Sequence, residues 1–582
     1  MLRTRPLITA FACVSLLGLA ASCAWAGERP AVGDTLTVVM RPILSVPAIV
    51  TPGGSFTIEA KASPSASAWA ATLTRASGAS HALVIDSASY LAGHERWFLA
   101  AAIPPDVPAE TYDLEVSASG GVFDEVAHCV TVRQSIDEDF YFVQITDPHL
   151  PTHLYYYQSG ADTDTTEMED MHAVIDDINI MNPDFVLLTG DVVNEGELED
   201  FLDKRYFTKA HRILRKLDVP VFVVAGNHDV GGWEDSPPPD GTARRNWWKF
   251  FGWRYLSDPP PDDGLHTQNY SFDYGGAHFI GIEAYVNYDR WRRQIYGDES
   301  FTDAQLDWLI DDLATVSPGT PTIAFYHMDF QDQLDLGDLG IDCALWGHIH
   351  HSSGSTSSPP YNLSLDNVCD GDRAMRVVRI VGGSTVVPSE PIVTGYSGEK
   401  LRLTYAAPND GTVQENTATV TNANHEDFEH GLVKFRVDAN SMPYEVDNGE
   451  ITQVIVEGGT ATYYVEVTFP EMTATTVTIS TSTGVPDGSP NPSIALLAPA
   501  WPNPARATAN LSFLLPASQH VRATVLDVRG RLVAELCDER LEGGPHRLAW
   551  DLSEEPDVAS GIYFYRVESE GQEISGKIVV LR

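Results

Sequence analysis

Cysteine is scarce in this chain: six residues in 582, of which Cys129, Cys343, Cys369 and Cys537 lie beyond the first 26 positions. Their spacing forms neither a zinc knuckle nor a Cys-x-x-Cys pair, which excludes a disulfide-framed mini-domain and a thiolate metal site. Buried thiols are the default reading, with Cys343 and Cys369 the expected pair if one bridge forms. Positive charge is also in short supply. Lys and Arg number 37 against 81 Asp and Glu, a formal charge of −44. Such a surface repels nucleic acid and anionic lipid, so neither is expected as a docked partner. Long apolar runs are missing after the first residues, and no transmembrane anchor is expected. The run Leu7 to Ala21 is too short to span a bilayer. With the basic start Met1-Leu2-Arg3-Thr4-Arg5 and the small-x-small site Ala24-Trp25-Ala26, it reads as a signal peptide over 1–26, cleaved after Ala26.

What the chain does contain is a set of apolar strands that end in polar clusters. Val221 to Val224 runs into Gly226-Asn227-His228-Asp229. Tyr141 to Thr146 ends in Asp147-Pro148-His149, and Phe185 to Thr189 in Gly190-Asp191. Thr322 to Tyr326 ends in His327, and Cys343 to Trp346 in Gly347-His348-Ile349-His350. In open sheets, ligands gather at the carboxyl ends of strands. Carboxylate, amide oxygen and imidazole together suit hard and borderline divalent ions and not thiolate-loving ones. Seven candidate ligands exceed the four that one tetrahedral ion needs, which points to two ions sharing a carboxylate.

In this order the five clusters resemble the calcineurin-like metallophosphoesterases, over roughly Asp137 to Tyr405. The resemblance implies a dinuclear site: Asp147, His149 and His350 on one metal, Asn227, His327 and His348 on the other, and Asp191 bridging. His228 is then no ligand but a catalytic residue facing the substrate. It would donate a proton to the leaving oxygen or clamp the phosphoryl group, and Asp229 and Glu195 are candidates to orient it. Relatives of the purple acid phosphatase type carry a tyrosine three residues after the bridging aspartate. Here that position is Asn194, so no tyrosinate-to-iron colour is expected, and the resemblance implies two divalent ions drawn from Mn, Fe(II), Zn or Ni.

The length calls for several domains. Residues 27–134 show short alternating runs such as Ser55 to Ala60 and Tyr112 to Val116, which suggest an immunoglobulin-like β-sandwich serving as a spacer or lid. Residues 135–405 alternate strands with helical signals at Thr165 to Met181, Leu198 to Leu217 and Thr302 to Val316, the last opening on a plausible cap. This is the α/β core, which the resemblance refines to two packed sheets flanked by helices. A β-rich domain follows over 406–482, then a Pro-, Ser- and Gly-rich linker over 483–499. The whole is therefore a multidomain chain, with an α/β metallophosphoesterase core between all-β sandwiches.

Residues 500–582 carry phrases such as Trp501-Pro502-Asn503-Pro504, Val525 to Arg531 and Ser560 to Arg566. They resemble C-terminal sorting domains of the type IX secretion route and the immunoglobulin-like domain of hook-capping proteins. The resemblance implies contact with secretion machinery and a secreted or outer-membrane-surface location in a Gram-negative-type cell, with the periplasm as alternative.

The insert Gly231 to Arg293 is rich in aromatics, most of them expected in the core. Trp233, His266, Arg292, Arg293 and Tyr155-Tyr156-Tyr157 are weaker candidates for a substrate wall. His153, His172, His211, His278 and His351 are read as surface or packing histidines. The function expected is hydrolysis of a small phosphate ester. The competing class is a non-catalytic surface-binding protein that keeps the scaffold.

Overall fold

The computed structural model describes residues 38–151, 166–200, 205–230, 242–252, 268–284, 300–369, 373–395, 400–481, 495–501, 505–515, 518–542, 544–554, 558–569 and 572–582. The expected signal peptide, Tyr155-Tyr156-Tyr157, His153, Trp233, His266, Arg292 and Arg293 lie outside them.

The α/β core is two sheets packed face to face. In the first, Phe140–Ile145, Val186–Leu188 and Val221–Val223 run parallel, and Ala374–Val381 closes on Phe140–Ile145 from the other side. In the second, Ala277–Ile282, Thr322–Phe325, Cys343–Trp346 and Tyr361–Ser364 are parallel, with Asn269–Tyr274 antiparallel at one edge. Side chains alternate across each strand. Phe142, Phe185, Phe222, Phe279 and Phe325 therefore fill the layer between the sheets, while Val143, Ile145 and Leu188 face the helices. Phe185 sits at the centre of the aromatic layer, 5.1 Å from the Phe142 and Phe279 rings and 5.6 Å from Phe222.

The helices Thr166–Met181, Tyr206–Leu214 and Thr242–Phe250 cover the first sheet, and Asp303–Leu313 covers the second. The last begins at a capping box in which the Thr302 hydroxyl accepts from the Gln305 amide and the Gln305 side chain accepts from the Thr302 amide. The stretch expected to be helical from Leu198 to Leu217 divides instead: Gly196–Asp200 is a 3-10 turn and the helix is only Tyr206–Leu214.

The connection between the first two strands of the N-terminal sandwich, Val39–Arg41 and Ala48–Val50, is built into the core. Val223 N–H donates to the Ser45 carbonyl at 3.0 Å, the Ser45 hydroxyl bonds to the Phe251 carbonyl, and Leu44 is buried among the helix-side residues. It thereby covers the free edge of the first sheet, beside the strand that leads to Gly226-Asn227-His228-Asp229. The N-terminal region is therefore joined to the core by backbone hydrogen bonds.

Two sheets make up the N-terminal sandwich, and four more follow the core, two in each of two all-β units. Leu401–Tyr405, expected to close the α/β domain, pairs with Glu415–Asn422 and so opens the next unit. Ala495–Trp501 is a strand paired with Thr508–Leu515, so residues 495–499 of the expected linker belong to the C-terminal unit, which has its own core. Cys343 and Cys369 form no disulfide. Burial pushes the Cys343 thiol up to about 12, and Cys369 Sγ lies 3.3 Å from Asn367 Oδ1. No described helix is long and apolar enough to cross a membrane.

Candidate metal centre

Because the cluster-bearing strands run parallel within each sheet, their carboxyl ends lie along one edge, and the five polar clusters meet there. Backbone hydrogen bonds stitch the loops together. Asp147 N–H donates to Gly190 O at 3.1 Å, His149 N–H to Asp191 O at 2.9 Å, and Gly347 N–H to His327 O at 2.9 Å.

The glycines that precede the ligand candidates are required by close approach. A Cβ at Gly226 would collide with Asp191, and one at Gly347 with Thr146 and Asp147. Five of the polar residues also hold left-handed backbone: Asp147, His149, Asp191, His348 and His350, with φ of 53°, 45°, 51°, 68° and 47°. Such conformations are costly outside glycine and gather at functional sites.

Each buried aspartate has one oxygen tied to the scaffold and one turned inward. Asp147 Oδ2 accepts from the Thr146 hydroxyl at 2.6 Å and from His348 N–H at 2.9 Å. Its partner Oδ1 is buried and accepts no hydrogen bond of ordinary geometry. Asp191 Oδ1 accepts from His228 N–H at 2.8 Å. That leaves Asp191 Oδ2 3.7 Å from His149 Nε2 and 3.1 Å from His327 Nε2, facing both histidines.

The imidazoles converge in two groups. His149 Nε2 and His350 Nε2 are 3.1 Å apart, and His350 Nε2 is 3.3 Å from Asp147 Oδ1. His327 Nε2 and His348 Nδ1 are 3.2 Å apart, and both lie on Asn227 Oδ1, at 3.0 and 2.8 Å. Atoms bound roughly 2.0–2.2 Å from a common ion stand about 3.0–3.5 Å from one another, so these spacings suit cation ligands. The orphaned Asp147 Oδ1 fits the same reading.

Burial lowers the His149 and His348 rings, with His228 and His327 as neighbouring charges, and both fall to about 4; they stay neutral, with lone pairs available. Burial would lower His327 too, but Asp191 and Asp147 outweigh it and lift that ring to about 9. Burial opposes ionisation of both carboxyls, yet the surrounding imidazoles hold Asp147 and Asp191 below the usual carboxylate range.

His228 stands beside the first group, its ring 4.7 Å from that of His149. Its Nδ1 lies 2.6 Å from the Asn194 carbonyl. Asp229, one of the two residues expected to orient this ring, is engaged elsewhere. It accepts backbone N–H bonds from Val192, Val193 and Gly226, which lock two ligand loops together. A backbone carbonyl is invisible to residue-type reasoning. Also missed were Thr146 and Thr189, although both directly precede ligand clusters; the Thr189 carbonyl lies 2.8 Å from His327 Nδ1 and turns Nε2 inward.

Residues 140–352 match the calcineurin-like phosphoesterase family. That match spans all five polar clusters. Residues 499–581 match the secretion system C-terminal sorting domain. A probable cyclic nucleotide phosphodiesterase from Rhodococcus erythropolis is 23% identical over 232 residues, 37% of this chain and 66% of that protein. Purple acid phosphatase 23 from Arabidopsis thaliana is 28% identical over 161 residues, 25% of this chain and 31% of that protein. The chain thus spans just under two thirds of the first curated relative and about a third of the second. Among solved structures, a dimetal phosphatase from Danio rerio aligns over 44% of this chain and 99% of its own, at 16% identity and a TM-score of 0.32, too slight a likeness to bear on function.

Of the histidines read as surface or packing residues, His211, His278 and His351 stay out of this cluster. His211 packs against Phe250 and Phe251, His278 bonds Asp273 and Asp312, and His351 is exposed. Trp247, Trp248, Phe251 and Tyr270 of the aromatic insert are buried in the core.

Proposed function

We propose that this protein is an exported metal-dependent phosphoesterase with a dinuclear centre. Asp147, His149 and His350 would hold one divalent ion, Asn227, His327 and His348 the second, and Asp191 would be shared between them. One observation carries the reading: two imidazole groups converge on either side of a single carboxylate oxygen, Asp191 Oδ2. The all-oxygen-and-nitrogen donor set favours Mn, Fe, Zn or Ni.

Ions held there supply a reactive water at neutral pH and positive charge for the phosphoryl oxygens. The chain's own residues do the rest. Asp147 and Asp191 keep their inward oxygens unprotonated, and Thr146 and the His228 backbone fix which oxygen that is. His228, anchored through Nδ1 on Asn194, turns Nε2 toward the same space and donates its proton to the departing alkoxide.

The substrate is a small phosphate ester. The relatives' names, a cyclic nucleotide phosphodiesterase and an acid phosphatase, support both diester and monoester as classes to assay. The sorting domain supports export through the type IX route, to the medium or the outer-membrane surface. The flanking all-β units are read as immunoglobulin-like sandwiches, supported by their paired sheets. Turnover of chromogenic monoester and diester by wild type and by Asp191→Asn tests the assignment. The variant is expected to lose at least about 100-fold, beyond the usual range for residues outside the ligand set. Equal turnover refutes the assignment, and no turnover in wild type moves the protein to the non-catalytic binding class.

A further inference from the structure

Gln144 is a fully buried polar residue in the layer between the two sheets. Its neighbours fix its direction. Tyr141, Val143 and Ile145 face the helices and Phe142 the opposite sheet, so Gln144, two residues on from Phe142, also points across. From there its Nε2 donates to the Trp346 carbonyl at 3.1 Å and reaches the Thr189 hydroxyl at 3.4 Å.

Those contacts fall at the roots of the ligand clusters. Trp346 directly precedes Gly347-His348-Ile349-His350. Thr189 precedes Gly190-Asp191, and its carbonyl holds His327 Nδ1. Gln144 itself is three residues before Asp147. One side-chain amide therefore joins the ends of three strands on two sheets.

Stability does not explain the residue. Trp346 offers an acceptor, so the NH2 must face it, and Oε1 is left buried with no hydrogen-bond partner. An unsatisfied oxygen in this layer destabilises the fold. Removing the amide would orphan nothing, since Trp346 O keeps Leu365 N–H at 3.1 Å and the Thr189 hydroxyl keeps Ile145 O at 3.4 Å. An apolar side chain of similar length would suit the layer better.

We propose that Gln144 is a positioning residue that sets the spacing between the two halves of the metal centre, by tying the His348/His350 strand end to the strand that carries Asp147 and His149. The inference rests on the two-ion reading above. Its test is Gln144→Met in the full chain, with three readouts. The metal-free variant keeps or exceeds the wild-type melting temperature. The second equivalent of Mn(II) binds about 10- to 100-fold more weakly. In the electron paramagnetic resonance spectrum, the signal of a coupled Mn(II) pair gives way to that of isolated Mn(II).

Wild-type affinity for both ions with an unchanged coupled spectrum overturns the proposal. So does a lowered melting temperature with both ions lost together, which makes Gln144 a residue of the fold alone. If Gln144→Met does not fold, Gln144→Glu keeps the shape while facing an oxygen to Trp346, and the same two metal readouts decide. A wild-type protein that never shows a coupled pair sinks the two-ion reading itself, before Gln144 is at issue.

Discussion

Asp147 and Asp191 each divide their work between two oxygens, and this division yields predictions at single side chains. Thr146→Val removes the hydroxyl that pins Asp147 Oδ2, letting the carboxylate rotate. Metal affinity is expected to fall about 10- to 100-fold without loss of fold, as isothermal titration would show. His228→Asn should behave differently. The ring lies outside the two ligand sets, so metal content stays at the wild-type value while kcat falls by about 10²–10⁴. Much of this site was legible in the residues, because chemistry-bearing types stood at the ends of apolar runs. What escaped was everything carried by backbone: the Asn194 carbonyl on His228, the Thr189 carbonyl on His327, and the three amides that claim Asp229. Residue type says nothing about where a carbonyl points.

Strands and helices were readable to the degree that their burial was one-sided or complete. Cys343–Trp346 and Ser55–Ala60 fall where pattern placed them, and Thr302 caps its helix. The stretch from Leu198 to Leu217 did not, because its turn at Gly196–Asp200 is stabilised by a tertiary contact: the Glu199 carboxylate bonds Thr208. At this scale the aromatic layer is the main tie between the sheets. Phe185→Ala removes its central ring and is expected to cost about 3–5 kcal/mol in urea denaturation.

A second element-level prediction concerns pH. His128, on Val122–Val132 of the first sandwich, is desolvated and faces Arg215, and its ring is lowered to about 4. The folded value lies below the unfolded value of about 6.5. Its contribution is therefore complete above about pH 6.5 and is lost as pH falls toward 4. Because the side chain is only part-buried, the expected loss is about 1–2 kcal/mol. His128→Asn, which tolerates the φ of 54° at this position, should flatten that part of the stability–pH profile.

Over the whole molecule, domain boundaries drawn from composition and those drawn by contacts differ most at the N-terminal side. Alternating runs such as Ser55–Ala60 are strands, but nothing in Ile43-Leu44-Ser45-Val46 announced that it would seal the edge of another domain's sheet. The sandwich is further tied to the β-rich unit by Arg75 to Glu457 at 2.7 Å and by the Ala109 amide to Gln453 at 2.7 Å. The C-terminal unit has a separate hydrophobic core. Truncation after residue 481 is therefore expected to leave melting temperature and turnover of the remainder nearly unchanged. A chain begun at residue 135 should be insoluble or inactive.

The most direct test of the central claim is the metal-to-protein ratio of the purified full chain, measured by plasma mass spectrometry alongside Asp191→Asn. Two divalent ions per wild-type chain, falling to one or none in the variant, is the result expected of a bridged pair. A wild-type ratio of one or below, or a variant that keeps both ions, would contradict it.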